Sequence, residues 1–242
     1  MRGEVDGTRI RELRDHCFEP EGEWATNRVD RVMKAASLAP NDRVLDLGCN
    51  LGTFSHHAKL AGASPIGLDW IYAALVEGRE VSACIGGFVL PRVQADGRQL
   101  PFDGEVFDVI INADFIEHTA DDAKPPIFSE MYRVLRKGGK AVVYTPNLNK
   151  IRWELLGERV KRWLGLRSEA VPSWQDFVDP DHFGLTTPWK TAARLKRAGF
   201  TTTTSYFEFH VPLISKIPGS NRLMAPCLSA QFAFRFLILA RK

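Results

Sequence analysis

The chain is short of cysteine, of long apolar runs and of any excess of charge of one sign, and each shortage removes a class of protein. Its four cysteines, Cys17, Cys49, Cys84 and Cys227, stand far apart with no CxxC pair. That spacing argues against a zinc site or a disulfide framework and suits a reducing compartment, so no metal is expected. No stretch reaches the roughly 18 uninterrupted apolar residues of a membrane span. The C-terminal FAFRFLILA is short and carries Arg235, and the charged N-terminus MRGEVDGTRIRELRDH is no secretory signal. A soluble, cytoplasmic protein is expected. The 32 basic residues are nearly balanced by 29 acidic ones, for a net +3, so no nucleic-acid partner is expected. Repeats and low-complexity tracts are missing too. With 242 residues, of which 45% are hydrophobic, the chain suits one α/β domain covering residues 1–242.

Alternating strand and helix signals organise that domain. Residues 1–40 read as an arm followed by a helix, with Trp24, Val29, Val32, Met33 and Ala36 at helical spacing over 23–38. RVLDLGCNLGTF then reads as a strand, a glycine turn and a helix start, the helix running from Thr53 to Leu60 and closed by Gly62. SPIGLDW predicts a second strand ending at Asp69, and a helix is expected over 71–80. PRVQADGRQLPF contains a third strand ending at Asp96, and VFDVIINADF a fourth. Pro125 and Pro126 open a helix expected to run to Lys137, with Gly138 and Gly139 as its exit, before KAVVYTP as the fifth strand. Residues 147–182 interrupt the pattern as a lid-like insertion. Thr187 and Pro188 open a last helix, TTTTSYFEF follows as a strand, and another strand is expected near 232–240. This alternation predicts a doubly wound sheet with helices on both faces and an antiparallel pair at one edge.

In such sheets a ligand binds beyond the carboxyl ends of the strands, where Asp46, Asp69, Asp96 and Asn112 or Asp114 stand. The dinucleotide fingerprint GxGxxG is missing: the turn reads GCNLGT, with Asn50 and Thr53 where glycines belong. Asp69 lies about twenty residues beyond the turn, the spacing at which a carboxylate reaches ribose hydroxyls. A nucleoside without a pyrophosphate fits both facts.

These segments together resemble the class I S-adenosylmethionine-dependent methyltransferases, and within them the type 11 small-molecule group, which includes quinone-type enzymes. VLDLGCNLGTF resembles the first motif, GLDW the second-strand acidic motif, ADGRQLPF the adenine-site motif, and FDVIINADFIEH through MYRVLRKGGKAVVYTPN the fourth and fifth strands. The resemblance covers roughly residues 41–209. It implies a Rossmann-like, mostly parallel seven-stranded sheet in the order 3-2-1-4-5-7-6 with the last strand antiparallel, and S-adenosylmethionine as cofactor. It further implies that Asp46, Gly48 and the neighbouring Cys49, Asn50 and Gly52 hold the methionine end, Asp69 the ribose, and Asp96 with Gly97 the adenine, with Trp70 packing on its face and Asn112 nearby. His182 and His118 are the candidates for a base or substrate contact. The expected reaction is methyl transfer to a small molecule, lipid-like or of quinone or natural-product type. The competing readings are a nicotinamide oxidoreductase and a non-catalytic cofactor-binding regulator. Residues 150–167 alternate aromatic and leucine with lysine and arginine, the pattern of a basic amphipathic helix that could be a lid or contact an anionic membrane.

Overall fold

A computed structural model describes residues 12, 14, 18, 23–86, 89–166, 180–209 and 230–242. Helix α1 (Glu23–Ala36) leads into β1 (Arg43–Leu47), α2 (Thr53–Leu60), β2 (Ser64–Asp69), α3 (Tyr72–Gly86) and β3 (Arg92–Gln94). Strand β4 (Phe107–Ala113) is followed by a short 3-10 turn (Ile116–His118), α4 (Lys124–Val134), β5 (Leu135–Pro146) and α5 (Leu148–Trp163). Helix α6 (Pro188–Arg197), β6 (Thr201–Phe209) and β7 (Ala233–Arg241) complete the order. The strands form one sheet, β3-β2-β1-β4-β5-β7-β6, parallel from β3 to β5 with β7 antiparallel to both neighbours. This is the order implied by the resemblance.

Side chains alternate across this sheet, and the two faces take different helices. Leu45, Leu47, Ile110, Ala141 and Val143 pack on one face with Phe128 and Met131 of α4 and Leu195 of α6. Val44, Val109, Ile111, Val142 and Tyr144 pack on the other with Val29 and Val32 of α1 and Phe54 and Ala58 of α2. Covering on both sides explains why β4 reads as a strongly apolar segment, every residue of it buried.

Four expectations change. Helix α3 runs to Gly86 rather than stopping at residue 80, because Val81 and Ser82 are fully buried and keep the next turn packed. Val81 packs on Phe18, so a residue of the expected N-terminal arm is part of the core. Strand β3 stops at Gln94, leaving Asp96 in the following turn, where its carbonyl accepts from the Gln99 N–H. Helix α4 ends at Val134 instead of Lys137, and β5 begins at once. The register jumps from Phe107↔Leu135 to Val109↔Lys140, so residues 136–139 bulge with Gly138 at φ +77°. Lys242 holds that bulge through main-chain hydrogen bonds with Gly138 and Gly139.

Candidate functional site

The turn between β1 and α2 is held in shape by groups below and beside it. Gly48, Asn50 and Gly52 all have left-handed backbones, at φ +79°, +47° and +92°. Asparagine tolerates this region, which is why the missing central glycine does not undo the turn. Gly48 and Cys49 donate their N–H groups to the Leu68 carbonyl, and the Asn50 N–H donates to Asp69 Oδ2 at 2.7 Å. Asp69 Oδ1 accepts from the Ile71 N–H at 2.9 Å. Each Asp69 oxygen keeps capacity for a second donor. Asp46, by contrast, faces inward: its Oδ2 accepts from both the N–H and the hydroxyl of Ser55 in α2. Burial raises its pKa to about 6, against the lowering effect of the Ser55 bonds. Burial also pushes the Cys49 thiol well above its ordinary range, which leaves no nucleophilic thiolate there.

A cavity of about 690 Å³ opens over the carboxyl ends of the strands, lined among others by Gly48, Asn50, Asp69, Trp70, Asp96, Gly97 and His118. A second, of about 450 Å³, lies at the opposite strand ends and is mainly apolar; it lacks the converging polar groups that mark a small-molecule site. In the larger cavity Trp70 is exposed, and Asp96 is engaged by the Arg98 guanidinium, whose hydrogen bonds hold the carboxyl below its usual range. The Phe115 ring lies between the two ends: a Cβ at Gly48 would stand 2.2 Å from its Cδ2, and one at Gly97 3.5 Å from its Cζ. Asn112 is wholly buried, donating to the Leu47 carbonyl, and its Oδ1 has no partner among the described residues. The cavity lining thus includes seven of the expected residues, while Asp46, Cys49, Gly52 and Asn112 support it from beneath.

The wall beyond β4 carries the acid–base groups. Asp114, left-handed at φ +53°, receives hydrogen bonds from Arg28 of α1 and Arg235 of β7. Burial opposes its ionisation, but the two guanidiniums outweigh burial and hold its pKa below the carboxylate norm. Glu117 is fully buried, with Oε2 accepting from the Thr145 hydroxyl and Oε1 unpartnered among the described residues. Burial, reinforced by the Asp114 charge, raises its pKa to about 8. His118 Nδ1 lies 3.0 Å from the Asp181 carbonyl, so Nδ1 must carry the proton in that bond. The loop bearing His182 is pinned to this turn, Gly184 N–H donating to the Glu117 carbonyl at 2.7 Å, and the two imidazoles stand edge to face at 4.7 Å. A Cβ at Gly184 would strike the Thr119 carbonyl at 1.9 Å, so the close approach needs glycine. Glu117, His118 and His182 offer ligand atoms within 4.8 Å of one another, a donor set suited to a divalent cation. Sequence spacing gave no sign of that cluster, since His182 is distant in the chain.

Residues 45–143 match the family model described as a methyltransferase domain. That stretch of the chain is similar to a methyltransferase domain. Around it, the ubiquinone biosynthesis O-methyltransferase of Ruegeria sp. (strain TM1040) is 28% identical over 155 residues, 63% of this chain and 60% of that protein. The match thus spans about three-fifths of that relative's length. The Pseudomonas putida (strain GB-1) protein of the same name is 27% identical over 189 residues, 76% of each chain. Among solved structures, an S-adenosylmethionine-dependent methyltransferase from Archaeoglobus fulgidus superposes with TM-score 0.62 at 19% identity, covering 96% of this chain and 99% of that one. One from Mesorhizobium loti gives 0.61 at 20%, covering 88% and 98%. These share the fold. Both solved structures are described as S-adenosylmethionine-dependent, and the residues present here fit such a cofactor: a glycine turn whose Gly48 and Asn50 line the cavity, a carboxylate at Asp69 with spare acceptor capacity, and Asp96 with Gly97 at the far end.

Proposed function

We propose that this protein transfers a methyl group from S-adenosylmethionine to a hydroxyl of a small quinone-like or phenolic acceptor. The observation that carries the reading is one cavity gathering Gly48, Asp69, Asp96, Gly97 and His118 at the strand ends. The relatives named for ubiquinone biosynthesis supply the acceptor class. Asp69 and the glycine turn would hold the ribose and methionine parts, and Asp96 with Gly97 the adenine. When bound, the cofactor supplies an electrophilic methyl group. The chain's own task is to align the acceptor and to take its proton. His118 suits that task, because the Asp181 carbonyl fixes the proton on Nδ1 and leaves the Nε2 lone pair for the acceptor hydroxyl. His182 packs against the same ring, and Glu117, neutral below about pH 8, adds no competing negative charge.

Calorimetry with S-adenosylhomocysteine and with NAD tests the reading first: binding of the former alone is expected, and binding of neither defeats it. With a catechol or quinol acceptor and labelled methyl donor, His118→Ala and His182→Ala should each lower kcat by about 10²-fold, with S-adenosylhomocysteine affinity unchanged. Unchanged turnover would remove the histidines from the mechanism.

A second reading concerns α5, which exposes Trp153, Leu156, Val160 and Trp163 along one stripe. Arg152, Arg159 and Arg162 on the same helix have no ion-pair partner among the described residues. An apolar stripe edged by free cations suits an anionic bilayer, from which a lipid-like acceptor could be drawn. Residues 167–179 of the lid-like insertion lie outside the described residues. Co-sedimentation with phosphatidylglycerol vesicles should exceed that with phosphatidylcholine vesicles and fall for Trp163→Ser; equal sedimentation would leave α5 as a lid alone. Among the described residues no helix is long and apolar enough to cross a membrane.

A further inference from the structure

Beneath the glycine turn lies a cation that the reaction does not use. Arg92 leaves β3, where it is opposite Gly67 in the register, and its guanidinium ends under Gly52. From Nη2 it reaches three acceptors on two separate pieces of chain: the Leu51 carbonyl in the turn at 2.9 Å, and the Gly78 carbonyl and Ser82 hydroxyl in α3 at 2.8 and 2.7 Å. Ser82 in turn donates to the same Gly78 carbonyl at 2.6 Å. Space there is fully used. A Cβ at Gly52 would stand 2.7 Å from both terminal guanidinium nitrogens, and a Cβ at Gly78 2.3 Å from the Leu51 carbonyl oxygen.

Such an arrangement is costly: Nε and Nη1 of Arg92 are buried without an oxygen acceptor, the Cys49 thiol lies beside the guanidinium, and among the described residues no carboxylate stands at ion-pair distance. Packing alone would be served by a neutral side chain. What a cation adds is a fixed set of donors toward carbonyls and a positive potential below a turn that carries carboxylates on its flanks.

We infer that Arg92 is a positioning residue: a wedge that locks the Leu51 carbonyl and so fixes the left-handed run of Gly48, Asn50 and Gly52, while its charge supports the Asp46 carboxylate. The consequence for cofactor affinity rests on the reading given under Proposed function; the consequence for the turn's rigidity does not. The groups facing Asp46 are the Arg92 guanidinium from β3, the Asp69 carboxylate from β2, the Cys49 thiol from the turn and Ser55 from α2. Among them Arg92 is the cation, and it favours the ionised form that accepts from Ser55.

The test compares the parent with Arg92→Met, Arg92→Lys and Ser82→Ala in the ligand-free protein and with S-adenosylhomocysteine. Amide hydrogen exchange over residues 48–54 should quicken about tenfold in Arg92→Met while amides of β4 and β5 keep their protection. Affinity for S-adenosylhomocysteine should drop about tenfold, and the pH below which it weakens through Asp46, about 6 in the parent, should rise. Arg92→Lys keeps the charge without the planar fork, so it should loosen the turn yet leave that pH in place. Ser82→Ala removes one acceptor and should quicken exchange about threefold, which keeps the question answerable should Arg92→Met not fold. Turn exchange at the parent rate in the folded variants overturns the inference. A parent that binds no S-adenosylhomocysteine defeats the functional reading instead, and the exchange comparison still decides the role of Arg92.

Discussion

Gly48 has two independent reasons to be glycine: its φ of +79° and the Phe115 ring that occupies the place of a Cβ. Gly48→Ala should therefore cost roughly 2–3 kcal/mol in urea unfolding and remove measurable S-adenosylhomocysteine binding. Asn50 is the contrasting case. Its backbone is already left-handed and its N–H is held by Asp69, so Asn50→Gly should leave affinity within about twofold, as calorimetry would report. Glu117 gives a pH signature. Its folded pKa, about 8, exceeds the ordinary 4.5, so the folded state holds the proton more tightly than the unfolded chain. Its contribution is complete below pH 4.5 and is lost as pH rises toward about 8. Thermal denaturation across that window should show stability falling in the parent and a flatter profile in Glu117→Gln.

Elements were legible where local chemistry decides them. Thr187 and Pro188 announce α6, and Thr187 does cap it by accepting from the Lys190 N–H. Thr187→Ala should cost about 1 kcal/mol, measured by chemical denaturation. The glycine turn and the β2 end at Asp69 were equally plain, because each depends on a few adjacent residues. The ends of α3 and α4 were not. Helix α3 continues because Phe18, far away in the chain, packs on Val81, and α4 stops because β4 claims Leu135 as a partner. Tertiary contacts overrode glycine and lysine cues that suggested otherwise. The same limit hid the Arg92 wedge, whose acceptors come from two other elements.

Across the whole molecule, Asp114 draws together residues 86 and 121 positions away in sequence, Arg28 and Arg235. No periodicity or motif could have paired them. Asp114→Ala leaves two largely buried guanidiniums without their shared carboxylate and should cost about 3 kcal/mol in chemical denaturation, with kcat reduced more than cofactor affinity because the His118 turn follows directly. The sheet order, in contrast, was legible only through the family resemblance; alternation and the terminal strand pair by themselves gave a doubly wound sheet with an antiparallel pair at one edge.

Among the described strands β7 comes last in sequence yet lies between β5 and β6, and it carries Arg235 to Asp114 at the wall of the cavity. The order of synthesis and the order across the sheet therefore disagree. A nascent chain can lay down β1 to β5 and shape the glycine turn while the wall beyond β4 still lacks one of its two cations. Until β7 enters, β6 has no neighbour to pair with. Pairing of β6 and completion of the Asp114 wall thus both depend on β7, the strand that brings Arg235.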